Sequence, residues 1–312
     1  MTTPTSRARR PTLLIVGCGD VGLRVLRLLV PRWRVLALTS SPERCEMLRA
    51  CGAVPLLGNL DEPATLGRLG GLTDAVLHLA PPPSQGATDS RTRALLAALA
   101  RAGRMRRLVY ASTSGVYGDC AGARFDETRA VRPATDRARR RVDAEAQVRW
   151  FGRSSGASVS ILRVPGIYAI DRSGGHPRDR LLRGTPVLED ADDVYTNHIH
   201  ADDLARVCVA ALLRGAPQRV VHACDDTELK MGEYFDLAAK LCGLPAPPRI
   251  TRAKAATTLG AMQLSFMSES RRLDNQRLKS ELRLKLRYPT VALGLAQPAA
   301  PSTPLAPLAP FA

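Results

Sequence analysis

One hexapeptide constrains this 312-residue chain more than any other feature: Gly17-Cys18-Gly19-Asp20-Val21-Gly22, a G-x-G-x-x-G pattern. It follows directly on an apolar run, Leu13 to Val16, and opens a helical period over Val21–Leu29. Alone the pattern is weak, but between a strand and a helix it has a mechanism. The first glycine permits a tight turn, the second lets backbone approach a pyrophosphate, and the third lets helix pack closely on strand. The helix N-terminus then faces the phosphates. A dinucleotide cradle built from Gly17, Gly19, Asp20, Val21 and Gly22 is the expectation.

The rest of the first half agrees with that start. Short apolar runs predict strands at Thr12–Val16, Arg34–Leu38, Ala53–Leu56, Ala75–Leu79, Leu108–Ser112 and Ser158–Arg163. Helical periods fall between them at Glu43–Ala50, Thr88–Arg101 and Thr135–Trp150. Such alternation predicts an α/β fold, a Rossmann doubly wound parallel sheet covered on both faces. After about residue 170 the rhythm breaks. Asp171–Asp179 reads as a loop, followed by a helix at Ala201–Leu213, a strand at Arg219–Ala223 and a helix at Gly232–Cys242. Leu244–Ile250 is a proline-rich connection, and further helices are expected at Ala255–Gln263 and Ser270–Leu282. The expected organisation is a basic N-terminus (1–11), a dinucleotide-binding domain (12–170), a smaller C-terminal lobe (171–297) with elements returning to the core domain, and a disordered Pro/Ala tail (298–312).

Composition excludes several classes. A chain 45% hydrophobic and 24% charged is an ordinary globular one. No apolar run approaches the roughly 18–20 residues of a membrane span. The run after the basic start is too short for a signal peptide, so the expected compartment is the cytoplasm. Seven cysteines without a C-x-x-C pair predict buried thiols rather than a zinc or redox motif. The net charge of +16 is carried almost wholly by arginine, since only five of the 45 basic residues are lysine. Such a charge draws polyanions at low salt. With 4% aromatic residues and no reading module, however, a specific nucleic-acid role is not expected.

In an NAD site a carboxylate at the end of the second strand takes the ribose 2′-hydroxyl. Here that strand ends Leu38-Thr39-Ser40-Ser41. The hydroxyls of Thr39 and Ser40, with Arg44, suit a 2′-phosphate, so NADP is expected in preference to NAD. Asn59, after the third strand, is a candidate for the adenine. Leu79, Ala80 and Pro81, closing the fourth strand, lie where a cofactor would cross the sheet edge. His78, within that apolar strand, is expected in the core.

The segment Leu108-Val109-Tyr110-Ala111-Ser112-Thr113-Ser114-Gly115-Val116-Tyr117-Gly118 resembles the fifth strand and following loop of the extended short-chain dehydrogenases, the NAD-dependent epimerase/dehydratase group. Three further matches follow in order: Asp126-Glu127, Leu162-Arg163-Val164-Pro165-Gly166-Ile167-Tyr168, and His198-Ile199-His200-Ala201-Asp202-Asp203. The second lacks the family's final glycine, replaced by Ala169. The short glycine pattern and the segment around Tyr288-Pro289-Thr290 look most like the atypical bacterial members.

The resemblance implies an NAD(P)-dependent oxidoreductase or epimerase/dehydratase. Its substrate would be a small molecule, a carbonyl compound or something like a nucleotide sugar, bound by the C-terminal lobe. It also places Thr113 at the family's catalytic Ser/Thr and Glu145 at a glutamate that follows the family's Tyr-x-x-x-Lys. Arg137 and Arg141 then stand where the tyrosine and lysine belong, and no lysine precedes Lys230. Arginine stays protonated and cannot pass a proton on. Arg141 remains a candidate for holding the nicotinamide ribose. Tyr117, Tyr168, His198 and Asp126 are candidate substitute acids or bases. The His-x-His with Asp202 admits a metal site or a helix N-cap at Asp202; the family match explains it without metal. The alternative to an enzyme is a non-catalytic NADP-binding sensor, and the third reading is a basic nucleic-acid binder. Oligomeric state stays open.

Overall fold

The computed structural model describes residues 10–30, 32–101 and 105–296; the expected tail 298–312 and most of the basic start 1–11 lie outside the described residues. In chain order the strands and helices of the first half are β1 (Thr12–Val16), α1 (Asp20–Leu29), β2 (Arg34–Thr39), α2 (Cys45–Ala50), β3 (Val54–Leu57), β4 (Ala75–His78), α3 (Ser90–Ala100), β5 (Arg107–Thr113), β6 (Arg124–Phe125), α4 (Asp136–Ser155), β7 (Ser158–Val164) and β8 (Gly166–Tyr168). The second half adds α5 (Arg178–Leu182), β9 (Val187–Leu188), β10 (Tyr195–Thr196), β11 (His198–His200), α6 (Ala201–Arg214), β12 (Arg219–His222), β13 (Leu229–Lys230), α7 (Met231–Cys242), β14 (Arg249–Ile250), α8 (Arg252–Thr258), α9 (Ala261–Met267), β15 (Arg272–Leu273), α10 (Gln276–Ser280) and α11 (Val291–Leu295).

Seven strands form one parallel sheet in the order β12-β7-β5-β4-β1-β2-β3. The order reverses at β1, and ligands of open parallel sheets bind beyond the strand ends at such a point. Successive residues of each strand point to opposite faces, and both faces are buried. Leu13, Ile15, Val35, Ala37, Leu77 and Val109 pack against α1, α6 and α10. Leu14, Val16, Leu36, Val76, Leu108 and Ile161 pack against α3 and α4. A separate apolar cluster joins Tyr168, Val187, Leu188, Tyr234, Phe235, Ile250, Met267 and Val291. β12 and α6 belong to the sheet layer although they follow residue 170, so the later chain both builds this cluster and returns to the core.

Two expected helices differ from what forms. The stretch Ala255–Gln263 is split, because Leu259 leaves α8 in an extended conformation and Gly260 starts α9. The expected helix Ser270–Leu282 begins instead as β15, which pairs with Arg124–Phe125, and only Gln276–Ser280 is helical. The competing interaction is long-range: Cys120 and Gly122 both donate to the Ser270 carbonyl, and Arg272 donates to Ala123. The loop at Asp171–Asp179 ends in α5, a short helix that periodicity over so few residues does not reveal.

Candidate functional site

The glycine loop has the shape a dinucleotide needs. Gly17 has φ +83°, and a Cβ there would lie 2.5 Å from the Ala80 nitrogen and 2.6 Å from its Cα. The turn after β1 is thus pressed onto the chain leaving β4, where Leu79 donates to the Val16 carbonyl at 2.8 Å. Gly22 lies against Cys18, whose sulfur would be 3.2 Å from an added Cβ, whereas a Cβ at Gly19 would point into open space. Gly19 is also the N-cap of α1, and no side chain caps the helix. Its first-turn N–H groups are therefore left for an anion arriving over Gly19. These features fit a pyrophosphate.

The Asp20 carboxylate is engaged by two arginines. It lies 3.1 Å from Arg24 and 3.2 Å from Arg172. Arg24, buried, is shared with Asp171 at 2.7 Å and Asp202 at 2.5 Å. One buried guanidinium on α1 thus gathers three carboxylates, from α1, the segment after β8 and the start of α6, and Arg172 adds a second positive charge at Asp20. Asp202 is not the cap of α6; His200 is, its Nδ1 accepting from the Asp202 N–H at 3.2 Å. His198 stacks on Tyr234 with centroids 4.2 Å apart. Both rings of the His-x-His are used in packing and capping.

At the end of β2 the Thr39 hydroxyl accepts from Ser41 N–H at 3.2 Å, and Ser40 is exposed. Arg44 donates to the Cys18 carbonyl at 2.7 Å, which ties its guanidinium to the glycine loop. Burial pushes the Cys18 thiol up to about 11 despite Arg44, so it stays protonated. Asn59 is engaged locally, donating to Glu62 at 2.8 Å and accepting from Asp61 N–H at 3.0 Å. Pro81 is exposed and Leu79 half-buried at the β4 edge. His78 is in the core: its Nε2 meets Thr92 at 2.9 Å, and Thr92 donates to Asp89 at 2.8 Å.

Thr113 ends β5, half-buried, its hydroxyl accepting from Gly115 N–H at 3.3 Å. Arg141 reaches the same strand, donating to Ala111 O at 2.8 Å and to the Tyr110 hydroxyl at 3.0 Å. Beneath them lies a buried polar chain. Glu145 accepts two bonds from Arg163, at 3.1 and 2.7 Å, and one from Ser112 at 2.6 Å. Arg163 also donates to the Tyr117 hydroxyl at 2.6 Å. His222 Nδ1 faces the Asp274 carbonyl at 2.8 Å, which can only accept, so the proton sits on Nδ1. Nε2 is then bare, and Tyr117 donates to it at 2.5 Å. Arg163 is half of the Leu162-Arg163 match already noted in the sequence. His222 carried no such signal, being one histidine in an apolar strand.

This geometry sorts the substitute acids and bases. Tyr117 is buried and doubly bonded, and desolvation pushes it up to about 12 despite Arg163. Tyr168 is buried beside His200, with its hydroxyl 3.4 Å from Thr290 O. Burial alone holds His198 down at about 4. Asp126 is exposed and turned onto Thr128, which donates at 2.5 Å.

The buried histidines set a pH dependence of stability. Burial, the largest cause for each, lowers His78 to about 3 and both His198 and His222 to about 4. Unfolding therefore takes up protons once the pH falls below about 6.5, the value of a free imidazole. The contribution of these three rings is complete above that value and is lost progressively down to about pH 4. Asp225, raised by burial to about 8, opposes this with the release of one proton. His176 and His200, also lowered chiefly by burial, act in the same direction as the three rings. We expect chemical denaturation midpoints to fall between pH 6.5 and 4.5 with a net uptake of protons, and a flat profile there would contradict the neutral buried rings.

The comparisons agree with this geometry. A family model described as NAD(P)H-binding matches residues 17–214. The chain is 27% identical over 266 residues to a 4-hydroxy-2-methyl-3-oxo-4-farnesyl-3,4-dihydroquinoline-1-oxide ketoreductase of Stigmatella aurantiaca, covering 80% of this chain and 79% of the relative. It is 25% identical to Protein YeeZ of Escherichia coli, covering 88% and 95%. Among solved structures, a functionally unknown conserved protein from Silicibacter pomeroyi has 33% identity and TM-score 0.77, covering 91% and 96%. The fold is also that of a UDP-glucose 4-epimerase from Thermotoga maritima, at 18% identity and TM-score 0.75, covering 91% and 96%. The chain belongs to the NAD(P)H-binding family and carries the fold of the NAD-dependent epimerase/dehydratase group, the extended short-chain dehydrogenases.

Proposed function

We propose that the chain is an NADP(H)-dependent oxidoreductase for a small carbonyl or hydroxyl-bearing substrate, working without a tyrosine–lysine proton relay. One observation carries the cofactor and its preference: the Arg44 guanidinium lies on the Cys18 carbonyl of an otherwise bare pyrophosphate cradle. The 2′-phosphate would sit between Ser40 and Arg44, Asn59 would flank the adenine, and Leu79, Ala80 and Pro81 would carry the cofactor over the sheet edge. Bound there, the dinucleotide supplies or accepts hydride. Arg141, anchored on Ala111 O, would hold the nicotinamide ribose through its remaining N–H donors. Thr113 donates its hydroxyl to the substrate oxygen. Arg141 cannot pass a proton, so the proton exchanges with water. The kinship with a protein named as a ketoreductase supports this direction of chemistry, and the apolar cluster around Tyr234 forms the substrate lobe.

Arg44→Ala is expected to lower NADP affinity about 10- to 100-fold, the ~1.5–3 kcal/mol of a charge-assisted hydrogen bond. NAD affinity should stay unchanged. Titration showing wild type binding NAD as tightly as NADP would end the 2′-phosphate reading. For catalysis, NADPH oxidation over a panel of carbonyl compounds and nucleotide sugars should show substrate-dependent turnover. Thr113→Ala should reduce it about 100-fold, the typical loss of one oxyanion donor. The second reading, a non-catalytic NADP sensor, is favoured by the engagement of Tyr117 with Arg163 and His222. Tight NADP binding with no turnover on the whole panel would select it.

A further inference from the structure

One turn before Arg141 on α4 stands Arg137. Arg137 is exposed, and its guanidinium carbon lies 4.8 Å over the centre of the Phe266 ring on α9. Among the described residues Arg137 makes no ion pair. Its neighbours are committed elsewhere: Arg139 is tied to Asp136 at 2.6 Å, and Arg140 donates to Gly86 O at 2.5 Å. Stacking engages only the face of a guanidinium. The five N–H donors lie around its rim, in the plane, and remain for a ligand. Phe266, 49% exposed, thus lies against the guanidinium without taking a hydrogen bond from it.

Arg137 lies at the sheet edge that carries Thr113. α4 ends at Ser155 and β7 begins at Ser158, so the helix starts at the sheet edge where β5 ends in Thr113. Arg137 and Arg141, four residues apart, share a helix face, and Arg141 contacts the main chain of β5. The fork is therefore on the Thr113 side of α4 and is bridged to the later chain through α9. A planar, permanently charged fork matches an oxyanion bidentately, which a tyrosine at the same place would not.

We propose that Arg137, propped by Phe266, recognises an oxyanion on the substrate, a carboxylate or a phosphate. This rests on the reading of the space beside Thr113 as the substrate site. The test uses full-length protein saturated with NADP, at ionic strength fixed with chloride. Succinate and phenyl phosphate are titrated against the neutral succinamide and phenol by calorimetry. One of the two anions should bind and its neutral counterpart should not; which anion binds distinguishes carboxylate from phosphate. Arg137→Gln should weaken that anion at least about tenfold and Phe266→Leu several-fold, while Arg139→Gln leaves it unchanged. Equal binding in Arg137→Gln, equal weakening in Arg139→Gln, or no anion binding to NADP-loaded wild type would overturn the proposal. Failure of wild type to bind NADP would instead sink the cofactor reading, and the two failures are seen on separate ligands.

Discussion

Replacing Gly19 by aspartate is expected to abolish dinucleotide binding while the protein keeps its fold. Open space lies where the new side chain would begin, so nothing in the native packing resists it. The carboxylate would stand over the uncapped start of α1, where the pyrophosphate is read to lie. Like charges at such distance in a partly desolvated cradle cost several kcal/mol, so the affinity should fall at least about 100-fold. Gly17→Ala should separate the two effects. Its Cβ would meet Ala80 backbone at 2.5 Å from a φ of +83°, so it should lower stability by roughly 2–4 kcal/mol as well as binding. Differential scanning with and without NADP reads both. An NADP-induced shift that survives in Gly19→Asp would place the cofactor elsewhere.

Glu145→Ala is expected to cost about 3–5 kcal/mol, the loss seen when one member of a buried ion pair is removed. Both partners are about 5% exposed, and Arg163 would keep its charge without the two bonds it donates to Glu145. The strain reaches further than the pair, because Arg163 also holds Tyr117, which in turn holds His222. Tyr117→Phe removes only the hydroxyl and should cost less, about 1–3 kcal/mol. Replacing Glu145 and Arg163 together by methionine should recover much of the loss, since no lone charge is then buried. Urea denaturation of the three variants checks the order; a cost below about 1 kcal/mol for Glu145→Ala would mean that water reaches the pair.

Local pattern made the first half of the fold legible. Strands such as Thr12–Val16 and Leu108–Ser112 are buried on both faces and therefore read as unbroken apolar runs. The glycine loop was legible because its constraint is steric and lies within six residues; Thr113 was singled out only by the resemblance to the family's Ser/Thr position. Expectation failed where distant residues decide. Ser270–Leu282 has helical spacing, but Arg272–Leu273 is taken into pairing with Arg124–Phe125, almost half the chain away. Nothing near Asp20 or Arg24 announces that Asp171 and Asp202 will converge on one buried guanidinium. Tyr117 was visible as a residue, yet only folding makes it the hydrogen-bond donor of His222. The amino-acid sequence by itself determined the sheet, the cradle and the absence of lysine before Lys230. Tertiary structure alone decided which charges are paired and which guanidinium is left open. Pairing depends on where several elements meet and on how far water is excluded there, and neither is a property of any short stretch of chain.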